Sequence, residues 1–569
     1  MRPSRALIAL TLLVPVNLSS APRQSPEFKP PKATQAANQE SADLQRTREV
    51  FARIPRVLAR NFKAFDGPEG AVRGFGAGEA YPQIWLRDSS WIVDAAAAYY
   101  PQEALTSWLD LHLAHPEEGG RLRDWVAKGS AAAFREWAPR AQAIGSVAFD
   151  TNTNESDQES SAALALCRME TLLGGQNRSS DRSRAVRLER SVAAMEALLR
   201  DRTDKNTGLI WSGLTADWGD VSPVHPDQRA IYLDAGTPRT LSLYTNVMAY
   251  AALDCLGSLP GPKLSRDRLT TRAAALRRQI RASFWIRSQG YFRIRRTLDA
   301  VPRGFGEDDG RRFALGGNAL AALFGVADEA QSSAIFAAAE RLRAGAGFTT
   351  VSTVLVPPYG LGVFQHPAMR EPFQYQNGGQ WDWFGAALVQ AEFERGHSEQ
   401  ARRHLSQIMN RIVRAGPGLH EWYGQDGSPK GSGAYAASAA AIYNAVVKGL
   451  LGVSRSSAGY EVVVRTGETL LPFEVPQRAI GGRLSVSQRV EDARIAVEVS
   501  GAFPVAEVCT ILPPGRGAHD AAEPDRASPQ SLRKVGADTL MCADVSRSAS
   551  PIRVNFAVRR RAPWSTKQP

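Results

Sequence analysis

The sequence is poor in the residues that bind metals and form disulfide scaffolds. Its 569 residues include four cysteines and eight histidines, and four cysteines are too few for a disulfide scaffold in so long a chain. The CxxC and HExxH spacings typical of zinc sites do not occur. The P-loop motif and a GxSxG nucleophile elbow are missing as well. We therefore expect no metal, no cofactor, no nucleotide chemistry and no serine hydrolysis; a structural calcium bound by other oxygen ligands stays open.

Basic residues are in excess, but they are not concentrated. Lys and Arg number 69 against 57 Asp and Glu, a net charge of +12. The arginines are spread through amphipathic stretches such as residues 180–192 and 266–284, without a Lys-rich run. Dispersed charge of this kind is typical of a solvated basic surface rather than of a nucleic-acid interface. We expect no nucleic-acid partner, while an anionic sugar substrate stays open.

The apolar run at the N-terminus, Ala6–Val16, is short. It follows Arg2 and Arg5 and is followed by small residues up to Ala21, the pattern of a secretory signal peptide. The run is too short to cross a bilayer core of about 30 Å, so no integral membrane association is expected. We predict a signal peptide over residues 1–21 and a flexible leader over 22–40, and hence a periplasmic or secreted protein; the alternative is a buried N-terminal helix.

The chain from about Ser41 to Val453 has a helical pattern. Apolar residues recur at spacings of three and four and predict eleven helices: 44–65, 91–112, 160–173, 185–199, 240–256, 266–284, 314–324, 327–343, 379–395, 399–415 and 434–451. Short connections alternate with long loops rich in Trp, Asp, Gly and Pro. Long loops in a compact domain are usually functional. We predict a mainly α fold, a ring of helical hairpins over residues 41–455 whose long loops meet at one end.

The pattern changes to period-two alternation after Ser457, as in YEVVVRT and ARIAVEVSG. Such alternation, bounded by Gly and Pro, predicts strands. We therefore expect a small β-sandwich-like domain over residues 456–569. Cys509 and Cys542 fall in this part and can pair in an oxidising compartment, whereas Cys167 and Cys255 lie in helical patterns and are expected to be buried thiols.

Two of the long loops contain Asp beside aromatic residues. In the first, Arg87 and Asp88 follow Trp85; adjacent Arg and Asp can bind neighbouring sugar hydroxyls, but they can equally form an ion pair and cap the next helix. In the second, Asp217 and Asp220 lie among tryptophans, surroundings that raise the pKa of a carboxyl and suit a general acid. The alternative is an Asx turn, and we expect one Asp to be structural and the other chemical.

A third loop contains His420-Glu421-Trp422-Tyr423. A Glu beside aromatic residues can act as general base on water, although alone it would be interpreted as a solvated loop residue. The three loops together change that interpretation, because glycoside hydrolysis needs two carboxylates from different parts of the chain on either side of the scissile bond.

The sequence resembles the six-hairpin (α/α)6-barrel glycosidases over about residues 41–453. The segments that carry the resemblance are WLRDS (85–89), SGLTADWGDVSP (212–223), YQNGGQWDW (375–383) and HEWYG (420–424). The group includes processing α-glucosidases, trehalases, glucoamylases and the glucosidase part of glycogen debranching enzymes. The middle segment departs from the group's usual SG-x-D-x-S by inserted residues, so that Asp220 matches the acid when counted from Ser222-Pro223 and Asp217 when counted from Ser212-Gly213; we favour Asp220.

The resemblance also implies roles for other residues. It implies that Glu421 is the general base and that Arg87 and Asp88 bind the sugar in the −1 subsite. A polar helix start is implied at Asp157, Gln158 and Glu159, and a second aromatic wall at Gln380 and Trp381. The tryptophans expected to line the pocket are Trp85, Trp211, Trp218, Trp381 and Trp422.

The sequence thus predicts an exo-acting glycoside hydrolase that inverts the anomeric carbon, with carboxyl groups about 6.5–9.5 Å apart. By resemblance the substrate is an oligosaccharide or glycoside with an α-glucoside or related hexoside. Two alternatives stay open: a lyase or hydrolase of an acidic, uronic-acid polysaccharide, and a non-catalytic carbohydrate-binding protein.

Overall fold

The computed structural model covers the helical region and the C-terminal strands. The described residues are 40–136, 138–150, 154, 156–173, 181–260, 263–306, 309–456, 458–518 and 530–560. The predicted signal peptide and residues 22–39 of the predicted leader lie outside the described residues. Within the described part of the chain, no helix is both long enough and apolar enough to span a bilayer.

Thirteen α-helices occur among the described residues. They are α1 (Ala42–Phe51), α2 (Ile54–Asn61), α3 (Leu86–Tyr99), α4 (Glu103–Ala114), α5 (Gln158–Leu173), α6 (Asp181–Arg202), α7 (Leu243–Ser258), α8 (Lys263–Phe284), α9 (Leu315–Leu323), α10 (Glu329–Gly345), α11 (Asp382–Glu394), α12 (Ser398–Ala415) and α13 (Ala436–Asn444). A π-helical segment, Ala445–Leu450, continues α13.

Six of these helices contact one another in a closed cycle. Helix α3 contacts α5, α5 contacts α7, and the series continues through α9 and α11 to α13, which contacts α3. Six of the remaining helices pack against this inner ring: α4 and α6 contact α5, α8 contacts α7, α10 contacts α9, α12 contacts α11, and α2 contacts α13. The seventh, α1, contacts α12. The helices therefore form two layers, an inner ring and an outer set.

Burial explains why the inner helices lie inside. Helix α3 is buried from Leu86 to Ala98, and α11 is buried from Asp382 to Phe393. A helix that is apolar all round must be covered on all sides, and the alanine runs of α3 and α13 let neighbouring helices approach closely. Helix α12 instead buries one stripe, from Leu405 to Ile412, and exposes the opposite face.

The prediction of a mainly helical region followed by strands is confirmed, but two predicted helices are each divided by a proline. The predicted helix 44–65 is α1 and α2, with Pro55 in the first turn of α2, followed by a strand. The predicted helix 91–112 is α3 and α4, separated at Pro101. Proline has no N–H to continue a helix and disfavours helical backbone in the residue before it, and Tyr100 is indeed extended.

The loops between helices form short antiparallel strands. These are β1 (Phe62–Gly67), β2 (Gly70–Phe75), β3 (Ile84–Trp85), β4 (Trp125–Lys128), β5 (Gln142–Ile144), β6 (Val147–Asp150), β7 (Ser212–Gly213), β8 (Arg239–Ser242), β9 (Trp285–Ile286), β10 (Tyr291–Phe292), β11 (Arg295–Thr297), β12 (Phe313–Ala314), β13 (Leu355–Val356), β14 (Trp422–Tyr423) and β15 (Pro429–Lys430). The sheet β3-β4-β6-β5 lies beside the start of α3.

The C-terminal strands form two five-stranded sheets. They are β16 (Ser454–Ser456), β17 (Gly459–Val464), β18 (Leu470–Gln477), β19 (Gly482–Val490), β20 (Arg494–Gly501), β21 (Val505–Ile511), β22 (Arg516–Ala518), β23 (Gln530–Val535), β24 (Asp538–Asp544) and β25 (Ile552–Arg560). One sheet has the order β16-β17-β21-β24-β23 and the other β18-β19-β20-β25-β22. Phe51 of α1 packs against both Tyr443 and Phe473, which joins this domain to the helical core.

All four cysteines are paired. Cys509 and Cys542 are directly opposite on β21 and β24, with Cα atoms 4.1 Å apart. Cys167 and Cys255 also form a disulfide, with Cα atoms 6.3 Å apart, so the expectation of two buried thiols was wrong. These residues are 88 positions apart in the sequence, but α5 and α7 are neighbours in the inner ring, a proximity that helical periodicity does not reveal.

Candidate active site

The segments that enter the inner helices carry most of the candidate residues. Arg87 and Asp88 lie in the first turn of α3, and Asp157 immediately precedes α5. Tyr244 is in the first turn of α7, and Tyr435 is the N-cap of α13. Helix N-termini have unpaired N–H groups and the positive end of the helix dipole, so they stabilise carboxylates. The ring thus gathers acidic residues from distant parts of the chain at one end.

Arg87 joins two of the predicted carboxylates. Its Nε and Nη2 donate to Asp157 at 2.7 and 3.3 Å, and its Nη1 donates to Asp220 Oδ1 at 2.7 Å. The Tyr244 hydroxyl donates to Asp157 at 2.9 Å. The Asp157 side chain is 1% exposed and that of Asp220 is 35% exposed. Asp157 therefore orients Arg87 from its buried side, whereas the side chain of Asp220 is partly exposed to solvent.

Two amide side chains hold the loop around Asp220. Gln376 Nε2 donates to Asp220 Oδ2 at 3.2 Å, and the backbone N–H of Asp220 donates to Gln376 Oε1 at 3.0 Å. Asn154 Nδ2 donates to the Asp220 carbonyl at 2.9 Å. The position of Asp220 is therefore set by groups outside its own loop, and neither amide was predicted as a site residue.

The loop that carries Asp220 packs against a small apolar core and a buried ion pair. Its apolar members include Leu214, Val221, Phe305, Tyr359 and Phe364. Arg295 Nη1 donates to Asp309 at 3.0 Å, and Tyr359 donates to the same carboxylate at 2.8 Å. Arg295 also donates to the Thr215 carbonyl. These contacts fix the backbone that leads to Asp220.

Asp217 lies elsewhere, although it was the alternative candidate for the acid. It has a left-handed backbone conformation, with φ of 52°, and its carboxylate accepts the Gly317 N–H at 3.2 and 3.3 Å. Burial raises the pKa of Asp217 to about 7, against the opposing effect of N–H groups of Gly317 and Gly316. Asp217 thus caps the N-terminus of α9, so this expectation of a catalytic role is corrected, and Asp220 is the exposed carboxylate of the loop.

Glu421 is buried and held through one carboxylate oxygen. The residue is 3% exposed. Its Oε2 accepts the Tyr81 hydroxyl at 2.9 Å and the Ser432 N–H at 3.0 Å. Gly431 has φ of +66°, and a Cβ there would lie 2.5 Å from Glu421 Oε2. Any larger residue at position 431 would therefore clash with this carboxylate, and glycine provides the space that it occupies.

The electrostatics place Glu421, Asp88 and Asp220 in one neighbourhood. Burial raises the pKa of Glu421, the bonds from Ser432 and Tyr81 oppose this, and the charge of Asp220 raises it further. Burial raises the pKa of Asp88 to about 7, with Arg87 opposing and both Asp220 and Glu421 adding to the increase. The Tyr435 hydroxyl donates to Asp88 at 3.0 Å. Charges act on one another in this way only when they are close, so these residues share one site.

Gln380 does not face this site, contrary to the prediction. It is buried, and its Oε1 accepts from Thr350 at 2.8 Å and from Arg411 at 2.7 Å. Its Nε2 donates to the Gly424 carbonyl at 2.7 Å, and its backbone bonds to Tyr423. With its amide fully bonded, Gln380 anchors the strand that follows Glu421.

The prediction that Glu159 contributes to the substrate site is also corrected. It is fully buried, and it accepts from Arg121 Nε at 2.6 Å and from the Leu122 N–H at 2.9 Å. Its role is to fasten the segment before β4 to the start of α5. Gln158, predicted beside it, is 2% exposed.

The predicted tryptophans divide into two sets. Trp218 and Trp381 are 2% and 1% exposed and pack edge to face with centroids 4.8 Å apart, so they support the site from behind rather than line it. Trp85, Trp211 and Trp422 are partly exposed. The ring of Trp211 is already contacted by two guanidinium groups, that of Arg202 at 4.4 Å and that of Arg239 at 5.8 Å from its centroid. Trp85 and Trp422 are therefore the predicted aromatic residues left to contact a ligand.

Several site residues were not predicted: Tyr81, Asp124, Tyr375, Gln376 and Tyr435. Tyr375 and Gln376 lie in the quoted YQNGGQWDW segment, and Tyr81 shortly precedes WLRDS. Charges of Asp220 and Glu421 add to the effect of burial in raising the pKa of Tyr375. The sequence signal was present in these segments, but the choice among their polar residues depended on tertiary contacts.

The fold is similar to that of known glycoside hydrolases. A GH78 family rhamnosidase of Bacillus sp. GL1 matches with a TM-score of 0.54 and 17% identity, over 83% of this chain and 42% of that chain. A GH63 mannosylglycerate hydrolase from Thermus thermophilus matches with a TM-score of 0.49 and 17% identity, over 69% and 99% of the two chains. No protein-family model and no curated protein matches the chain. The resemblance to (α/α)6-barrel glycosidases is confirmed, and at this identity it concerns the fold.

Proposed function

We propose that this chain is a glycoside hydrolase that removes a terminal sugar, an α-glucoside or related hexoside, with inversion of the anomeric carbon on an (α/α)6 barrel. Asp220 is the general acid and Glu421 the general base. The observation that carries the proposal is a chain of contacts that joins these two carboxylates, which come from loops 201 positions apart. The Tyr435 N–H bonds the carbonyl of Leu419, close to Glu421, the Tyr435 hydroxyl bonds Asp88, and the adjacent Arg87 bonds Asp220. Inverting glycosidases need such a pair.

The bonding of Glu421 suits a general base. Its Oε2 is engaged by Tyr81 and Ser432, and no described group donates to Oε1. The two fixed bonds orient the carboxylate, and Oε1 can accept a proton from water. Burial raises the pKa of Glu421, which strengthens it as a proton acceptor near neutral pH.

Asp220 must carry a proton before the glycosidic bond breaks. In the free protein its Oδ1 accepts from Arg87 at 2.7 Å. A sugar hydroxyl that takes this donor from Asp220 would free the carboxyl to be protonated and to donate to the leaving oxygen. Arg87 would keep its orientation meanwhile, because its bonds to Asp157 lie on the buried side. Substrate binding and activation of the acid are thereby coupled.

The charges of the site favour a neutral glycone over a uronic acid. Asp88, Asp157, Asp220 and Glu421 surround Arg87, which already bonds two of them. A substrate carboxylate would meet repulsion there. A lyase would need a tyrosine or histidine base, yet burial and these carboxylates raise the pKa of Tyr375 and Tyr435 far above neutral. The repulsion and the raised pKa values of these tyrosines therefore favour the glycosidase over the acidic-polysaccharide alternative.

The test is hydrolysis of a panel of 4-nitrophenyl glycosides and disaccharides by the purified protein. On the disaccharides, Asp220→Asn and Glu421→Gln should each lower kcat by about 10²–10⁴-fold, the usual contribution of general acid–base catalysis, with little change in melting temperature. On the 4-nitrophenyl glycosides the loss for Asp220→Asn should be smaller, because 4-nitrophenolate leaves without a proton. Asp217→Asn is the matched control from the same loop: it should lower the melting temperature and leave kcat of the folded protein near the wild-type value.

The outcomes distinguish the assignment of each residue, an enzyme from a binding protein, and inversion from retention. Wild-type activity on the disaccharides retained by either Asp220→Asn or Glu421→Gln would refute the assignment of that residue. Sugar binding without hydrolysis of any glycoside would favour a carbohydrate-binding protein instead. NMR of the newly released sugar would test inversion, because an inverting enzyme first releases the opposite anomer of the one it cleaves.

We further propose a periplasmic or secreted location. The predicted signal peptide supports it, and so do the two disulfides, since disulfides persist in oxidising compartments. N-terminal sequencing of the exported protein would test it, with cleavage expected near Ala21. No nucleic-acid partner is proposed.

A further inference from the structure

Asp124 lies next to the segment that carries Arg87 and has no role in the mechanism described above. It immediately precedes β4, its N–H donates to the Asp150 carbonyl at 2.9 Å, and its carbonyl accepts the Leu86 N–H at 2.9 Å. These backbone bonds attach it to the sheet at the start of α3, next to Arg87. The residue is 6% exposed.

The carboxyl of Asp124 has no hydrogen-bond donor among the described residues, unlike the other buried acids around it. Asp150 accepts the Tyr232 hydroxyl at 2.7 Å, Asp157 accepts from Arg87 and Tyr244, and Glu159 accepts from Arg121. The oxygens of Asp124 are nevertheless not among the fully buried atoms that lack a partner. They therefore stay within reach of solvent or of a ligand.

The surroundings of Asp124 make the lack of a donor costly. Burial raises the pKa of its carboxyl well above the usual range; Arg87 opposes this, while Asp157, Asp220 and Asp150 add to it. A carboxyl that is largely buried, has no protein donor and is repelled by its neighbours lowers the stability of the free protein. Residues retained at such cost are characteristic of functional sites, where a ligand supplies the missing partner.

We propose that Asp124 binds a hydroxyl of the glycone, next to the hydroxyls held by Arg87 and Asp88, and so determines which sugar the site accepts. This inference rests on the proposed glycosidase function. The sugar hydroxyl completes the bonding of a carboxyl that the protein leaves without a donor. A site with a buried polar group rejects an analogue that lacks the matching hydroxyl, because the group is then left unpaired.

The experiment pairs substitutions of Asp124 with removal of single hydroxyls from the substrate. The probes are 4-nitrophenyl α-D-glucopyranoside, or the 4-nitrophenyl hexoside of the panel that the wild type cleaves, and its monodeoxy derivatives. For Asp124→Ala, kcat/KM on the parent glycoside should fall by about tenfold or more, the value of a hydrogen bond to an ionisable group. On one deoxy derivative the same substitution should cost less than about threefold, because the partner hydroxyl is already absent.

Stability separates this role from a structural one. Asp124→Ala and Asp124→Asn should melt at or above the wild-type temperature, since they remove a desolvated acid without a partner. The matched control is Tyr232→Phe, which removes the hydroxyl that bonds Asp150: it should lower the melting temperature, and its effect on kcat/KM should not depend on which hydroxyl is missing.

The possible results are distinguishable. An equal loss for Asp124→Ala on the parent and on every deoxy derivative would overturn the proposal, and so would no loss at all or a lower melting temperature. A wild type that cleaves no glycoside would instead overturn the proposed function on which this inference rests.

Discussion

Removal of the Tyr81 hydroxyl should shift the pH dependence of catalysis in one direction. This hydroxyl donates to Glu421 Oε2 at 2.9 Å and thereby lowers the pKa of Glu421, against the larger effect of burial. Tyr81→Phe deletes that bond and leaves the Ser432 N–H as the donor to Oε2. Without this bond the pKa of Glu421 rises. As the pH is lowered, Glu421 is therefore protonated, and the enzyme loses activity, at a higher pH than in the wild type.

The size of the shift follows from the strength of one bond. A hydrogen bond to a charged group contributes about 1.5–3 kcal/mol, and about 1.36 kcal/mol corresponds to one pH unit. Because Glu421 is 3% exposed, solvent does little to replace the lost donor. The acidic limb of the kcat/KM profile should therefore move upward by about one pH unit or more.

The assay is kcat/KM against pH for the wild type, Tyr81→Phe and Tyr435→Phe. The last variant is the control, because the Tyr435 hydroxyl donates to Asp88 and not to Glu421; its acidic limb should move less than that of Tyr81→Phe. An acidic limb that stays in place or moves to lower pH in Tyr81→Phe would refute Glu421 as the base held by Tyr81.

Two further predictions concern stability. His404 bonds Glu392 at 2.9 Å and Glu340 at 3.1 Å; burial lowers its pKa, but the two carboxylates raise it more, to a net increase. A raised folded-state pKa means that this contribution is complete below the unfolded value of about 6.5 and is lost as pH rises through the folded value. Urea unfolding at several pH values should show this loss, and the loss should be absent in His404→Gln. Replacing both Cys167 and Cys255 by Ser should lower the free energy of unfolding by about 4–5 kcal/mol in the chain-entropy model, given their separation of 88 residues; an unchanged urea midpoint would contradict it.

Much of the architecture could be predicted because its signals are local. Apolar spacing located the inner-ring helices α5, α7, α9 and α11 to within a few residues, and period-two alternation located the C-terminal strands. The loops between them were recognised by their Trp, Asp and Gly content, and those loops carry Arg87, Asp88, Asp220 and Glu421. The predicted helices that proved to be two helices contain prolines, a local signal that was given too little weight.

The roles of individual polar residues within a loop were less predictable. Asp217 and Asp220 are three positions apart in similar surroundings, yet one caps α9 and the other bonds Arg87 and Gln376. Gln380 lies in a segment that carries the resemblance, but its side-chain oxygen accepts a hydrogen bond from Arg411 of α12. In each case the deciding partner lies far away in the sequence.

The sequence by itself determined the helical hairpins, the C-terminal strands and the loops in which acidic and aromatic residues are concentrated. Only the tertiary structure decided which carboxylates meet, which tryptophans are buried, that Cys167 pairs with Cys255, and that Asp124 lies beside Arg87 without a donor. The physical reason is that periodicity and turn chemistry act between residues a few positions apart. The contact of α13 with α3 closes the ring, and that closure sets the distances between side chains from opposite ends of the chain.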